Sequence, residues 1–216
     1  MPDNVNILSI VIFLTAAGLI PLFAVTMTGF LKIAVVMFLI RNALGLQQTP
    51  PNLVLYAIAL ILTVFVTSPM LGGIYSRLTT RPIDFNSVED ITAMANDVKQ
   101  SVGTELKRFA RPQERQFFLS ATQRIWPQEA RADLKDDDFV VLVPAFVSSE
   151  LTRAFEIGFL LYLPFLVIDL VVSNILMAMG MIMVSPTLIS VPLKLFLFVG
   201  VSGWSRLMHG LILSYS

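Results

Sequence analysis

Residues 7–31 read ILSIVIFLTAAGLIPLFAVTMTGFL, without one Asp, Glu, Lys or Arg. A soluble fold covers its surface with strongly polar residues every few positions, and this stretch offers only scattered hydroxyls. At about 1.5 Å rise per residue, a helix here is long enough to cross the apolar part of a bilayer. The whole chain points the same way: 56% of its 216 residues are hydrophobic and 14% charged, whereas soluble domains carry about 25% charged residues. With a mean hydropathy of +0.77, lipid must solvate much of the surface. The expected fold class is all-α: an integral membrane protein of helical hairpins with a small helical soluble insert. A helix satisfies its own backbone groups where no water reaches.

Three regions follow from composition. In the first, 5–76, the apolar stretch 7–40 exceeds the roughly 20 residues of one upright span and is interrupted by Pro21 and Lys32. A bent or broken helical pair is expected there. Residues 41–52 supply polar groups and the pair Pro50-Pro51, which stops a helix, and 53–71 is again uncharged, so the two runs form a hairpin. The second region, 77–138, holds ten of the fifteen basic and eleven of the fifteen acidic residues and is the water-soluble insert. Ser87 caps a helix whose apolar stripe is Ile91, Met94, Val98, Val102 and Leu106. A second helix opens at Pro112 and ends before Pro127, and Asp136-Asp137-Asp138 suits a solvated turn or helix entrance. The third region, 139–216, is apolar apart from charge at 148–156 and from Asp169, Lys194, Arg206 and His209. Pro164, Pro186 and Pro192 are expected to break it, with a second hairpin turning within 180–192. The N-terminal residues lack the basic region of a secretory signal, so the first apolar run is expected to be retained.

Several chemistries are excluded. Net charge is zero, so no global field draws nucleic acid. With no cysteine there is no disulfide, thiolate nucleophile or sulfur-ligated metal. His209 is the single histidine, and Ser205 and Ser214 lie near it without a nucleophile elbow. No metal, cofactor or catalytic residue is expected. The charges inside apolar runs carry more information. Glu150, Arg153 and Glu156 stand three apart, near one helix face, where they pair along the helix or with a neighbouring subunit. Asp169 and Lys32 are each embedded in greasy sequence, where a charge costs roughly 2.5–3.5 kcal/mol. They read either as a proton relay or as structural ion pairs. One copy is expected to leave them without adequate partners, so that several copies close around a shared axis. Met177, Met179, Met181 and Met183 alternate. They are either ordinary core or lipid-facing methionines, or a deformable apolar seal.

Two stretches resemble a known family. Met27-Thr28-Gly29-Phe30-Leu31-Lys32-Ile33-Ala34-Val35-Val36 leads to Leu39-Ile40-Arg41-Asn42-Ala43-Leu44-Gly45-Leu46-Gln47-Gln48-Thr49-Pro50-Pro51-Asn52. The second runs through Pro144-Ala145-Phe146-Val147-Ser148-Ser149-Glu150-Leu151, Leu163-Pro164-Phe165-Leu166-Val167-Ile168-Asp169-Leu170 and Met179-Gly180-Met181-Ile182-Met183-Val184-Ser185-Pro186. Both are similar to signatures of the FliP/SctR family of type III export-gate proteins. The resemblance covers both hydrophobic halves; the insert matches only in size and place.

It implies a non-enzymatic subunit of a pentameric pore core, threaded by unfolded secreted proteins. The implied partners are further copies of the chain, two other small gate subunits (SctS/FliQ-like and SctT/FliR-like), the switch and export-ring membrane components, and membrane lipid. It further implies tilted hairpins in the bacterial inner membrane, raised toward the periplasm, with the insert and both termini on the periplasmic side. Met181, Ile182 and Met183 match a methionine gasket that closes the channel at rest, Ile182 departing from the usual methionine. Glu150 matches a glutamate associated with ring assembly, and Asp169 and Lys32 match charged positions of structural role. The early entry into the first span and Arg41-Asn42-Ala43-Leu44-Gly45 look more like the injectisome branch than the flagellar one. A secondary transporter or ion channel coupled through Asp169, and a scaffold whose insert recruits a partner, are the rival readings.

Overall fold

The computed structural model describes residues 7–80, 88–131 and 134–216; Ser87, the expected cap, lies outside them. Described residues form helices α1 (Ile7–Thr26), α2 (Phe30–Ala43), α3 (Asn52–Thr80), α4 (Val88–Phe109), α5 (Pro112–Ile125), α6 (Gln128–Arg131), α7 (Phe139–Ala178), α8 (Thr187–Gly200) and α9 (Gly203–Leu213). There is no strand among them. The protein is an all-helical membrane protein: Asn52–Ser76 and Phe139–Ala178 are long and apolar enough to cross a bilayer. The pair α8 and α9, bent by 64°, qualifies when taken together.

The first apolar run does divide, but not at Pro21 or Lys32. Pro21 lies inside α1 and Lys32 inside α2; the break is at residues 27–29. Pro164 and Pro192 likewise sit within α7 and α8, and the expected breaks there do not occur. A proline removes one rung of the helical ladder, and where water does not compete for the remaining rungs the helix survives the loss. Gly29, the last residue of the break, leaves room for a tertiary contact: a Cβ there would lie 2.5 Å from the Tyr215 hydroxyl.

The α2–α3 hairpin turns as expected. Gly45 takes φ +77°, and the N–H groups of Gly45 and Leu46 close back on the carbonyls of Asn42 (3.0 Å) and Arg41 (3.2 Å). This double closure satisfies the last carbonyls of α2, and a glycine adopts the left-handed conformation without a Cβ clash. Arg41 then donates to Pro50 O (3.2 Å) and Asn52 Oδ1 (2.6 Å), fixing the loop to the start of α3.

Helix α7 has 40 residues, about 60 Å at 1.5 Å each, twice the apolar thickness of a bilayer. Its N-terminal half is covered by the insert. Leu106 and Ala110 pack against Leu142, Ala145 and Phe146. Of the expected stripe along α4, the Ile91 side chain lies outside the described residues; Met94, Val98 and Val102 are half-buried and Leu106 is fully buried. Arg111 N–H donates to Ser149 Oγ at 2.8 Å, and Arg115 pairs with Asp136 at 2.6 Å. A larger core joins α2, α3, α7, α8 and α9 through Ile33, Met37, Ile40, Leu55, Phe165, Phe198 and Leu211. Gly158 of α7 meets Leu39 of α2 so closely that a Cβ would lie 2.3 Å from its Cδ1.

Candidate functional site

The N-terminal part of α7 brings Glu150 against the buried face of α2. Both Glu150 and Lys32 have no exposed side-chain surface, and Lys32 Nζ lies 3.3 Å from Glu150 Oε2. Arg153, one turn on, donates from Nη1 to Glu150 Oε1 (2.9 Å) and to the carbonyl of Phe109 (2.8 Å), the last residue of α4. A guanidinium there satisfies a carbonyl that the helix end leaves open. Tyr215, just beyond α9, completes the cluster. Its hydroxyl lies 2.8 Å from Glu150 Oε2 and 3.0 Å from Gly29 O, and its ring faces the Lys32 ammonium at 3.4 Å. Glu156 turns away from this row and pairs with Arg111 of the insert at 2.7 Å.

The second cluster lies farther along α7. Asp169 pairs with Lys194 of α8 at 2.5 Å, and Lys194 also donates to Ala43 O, the end of α2, at 3.0 Å. One ammonium thus joins the α7–α8 hairpin to the α2–α3 hairpin. Ser190 is buried beside it, its hydroxyl without a hydrogen-bond partner among the described residues.

These contacts overturn the expectation that one copy leaves its intramembrane charges without partners. Among the described residues outside 77–138, Glu150, Glu156 and Asp169 each contact a cation within the same chain. Sequence reasoning missed Tyr215 altogether and did not join Asp169 to Lys194. Separations of 65 residues for Tyr215 and Glu150 and 25 for Lys194 and Asp169 leave no periodic trace in the sequence.

Beyond the Asp169 tether, α7 ends in a glycine closure like that at Gly45. Gly180 takes φ +74°; its N–H donates to Met177 O (3.0 Å), and the Met181 N–H donates to Leu176 O (2.9 Å). The turn is residues 179–186, shorter than the 180–192 expected, because Pro186 caps α8 and Pro192 lies inside it. At the tip, Ile182 is 84% exposed and Met183 fully exposed, with Met181 at 39%. Among the described residues there is no group of His, Cys, Asp or Glu able to hold a metal.

Comparison with known proteins accounts for nearly the whole chain. A sequence profile of the FliP family matches residues 13–211. A probable translocation protein of Sinorhizobium fredii is 56% identical over 210 residues, covering 97% of this chain and 95% of that one. The Yop proteins translocation protein R of Yersinia pestis is 46% identical over 215 residues, covering 100% and 98%. The virulence protein YscR of Salmonella typhimurium is 41% identical over 222 residues, covering 100% and 99%.

Proposed function

The chain belongs to the FliP family, and on that premise we propose that it is a structural and gating subunit of a type III secretion export gate. It forms, with further copies and with the two other small membrane subunits of the gate, the wall of a pore for unfolded proteins. The switch and export-ring components adjoin it. The ring is pentameric, sits in the bacterial inner membrane and projects toward the periplasm. Relatives that act in translocation and virulence favour the injectisome branch. The translocated chain supplies no chemistry to be catalysed, and energy comes from other components.

The observation that carries this reading is the turn at residues 179–186. A hairpin tip in water gains nothing by presenting Ile182 and Met183 with 84% and 101% of their surfaces exposed on a glycine-closed turn. Converged on an axis, unbranched methionines flank Ile182 in an apolar plug that deforms around side chains of any shape. Glu150 supports assembly indirectly: wholly buried, it sets how α2, α7 and Tyr215 pack, and so the shape each copy offers its neighbour. Met181→Ala together with Met183→Ala, in an assembled gate, is expected to raise the resting leak of ions and small solutes while the ring still forms. Wild-type leak through a ring of normal mass would remove the gasket role.

A further inference from the structure

A trough of about 540 Å³ runs between α7 and α9, roofed by the end of α8 and floored by Ile40 of α2. Its walls are Leu160, Leu161, Phe165, Leu207 and Leu211; among the described residues, Arg206 and Ser214 are the only polar ones lining it. Arg206 is exposed, in the first turn of α9. Its guanidinium makes no ion pair or hydrogen bond among the described residues. That sets it apart from the other cations of the two apolar regions. Lys32 and Arg153 hold Glu150, Lys194 holds Asp169, and Arg41 holds the loop at Pro50 and Asn52.

We propose that this trough binds an anionic phospholipid, with one acyl chain lying along the leucines and the phosphate on Arg206. An exposed, unpaired guanidinium beside an apolar trough is complemented by an anion carried on an aliphatic chain, and a phosphodiester accepts its paired N–H groups. The positive end of α9 lies at the same end of the trough. A second copy of this chain fits less well. Its described carboxylates outside the insert, Glu150, Glu156 and Asp169, are already ion-paired, so a neighbour's apolar helices bring no free anion to Arg206. A phospholipid supplies the aliphatic filling and the negative charge in one molecule.

The test uses the full chain in its native assembly, extracted in mild detergent, exchanged into nanodiscs of phosphatidylglycerol or phosphatidylcholine, and read by native mass spectrometry for retained lipid. Wild-type protein is expected to retain phosphatidylglycerol about tenfold better than phosphatidylcholine. Arg206→Lys preserves most of that preference and Arg206→Gln abolishes it. Gly210→Leu blocks the trough itself, because a Cβ at Gly210 meets nothing within 4 Å and the added side chain projects into free space. It is expected to reduce retention of both lipids. Equal retention of the two lipids by wild type, or undiminished phosphatidylglycerol on Arg206→Gln, overturns the proposal. So does a cross-link from Leu161 to a second copy that persists in saturating phosphatidylglycerol. The outcome is independent of the gasket reading, which concerns leak and a different part of the chain.

Discussion

Replacing Lys32 by Met tests whether the Glu150 cluster is the internal lock of the fold. Met keeps most of the side-chain volume and removes the charge. Lys32 and Glu150 are both fully buried and 3.3 Å apart, and stripping one partner from a buried pair costs about 3–5 kcal/mol because the other charge is stranded. Glu150 keeps Arg153 and Tyr215, which argues for the lower end, about 3 kcal/mol. For a chain of this size that corresponds to a fall of about 6–12 °C in melting temperature. Thermal unfolding of the detergent-solubilised chain, followed by intrinsic fluorescence, reads it directly. Lys32→Met combined with Glu150→Gln removes both charges and leaves the glutamine able to accept from Arg153 through its oxygen and to donate from Nε2 to the Tyr215 hydroxyl. It is expected to recover most of the loss. If Lys32→Met melts within about 2 °C of wild type, or the double variant melts lower than the single one, the cluster does not hold the fold as described.

Three further outcomes follow from particular contacts. Gly158→Ala forces a methyl onto Leu39, whose Cδ1 lies 2.3 Å from the new Cβ; a loss of about 1–3 kcal/mol is expected, and Leu39→Ala should return part of it in the double variant. Gly45 and Gly180 share the left-handed backbone, at φ +77° and +74°. Alanine at either costs about 1–2 kcal/mol from conformation alone. Gly45→Ala also meets Val191 Cγ2 at 2.6 Å whereas Gly180→Ala meets nothing, so equal melting temperatures for the two would contradict the packing. At the second cluster, Lys194 is 4% and Asp169 42% exposed. Asp169→Asn strands a buried ammonium, at about 3 kcal/mol, while Lys194→Met leaves a carboxylate on an open pocket shared with Asn42, Gln47 and Thr187, at about 1 kcal/mol. Denaturant unfolding that ranks the two the other way would refute that assignment.

The sequence by itself determined the class of the fold and much of its local grammar. Uncharged runs too long for a soluble core called for lipid, the stripe from Met94 to Leu106 set the buried face of α4, Pro112 marked a helix start, and the polar residues and double proline of 41–52 marked a loop. These are legible because they depend on residues within a turn or two of one another. Only the tertiary structure decided which proline interrupts a helix, where the charges go and how the insert sits. Pro21, Pro164 and Pro192 look like breaks until the surrounding helices are seen to tolerate them, whereas the break that does occur, at residues 27–29, ends on a glycine beside which Tyr215, 186 residues away, occupies the space a side chain would need. Lys32, Glu150, Asp169 and Lys194 each read as an isolated charge in one dimension. Their pairing is fixed by how α2, α7 and α8 cross, and that geometry comes from the fit of side-chain volumes such as Leu39 against Gly158, which no short-range periodicity encodes.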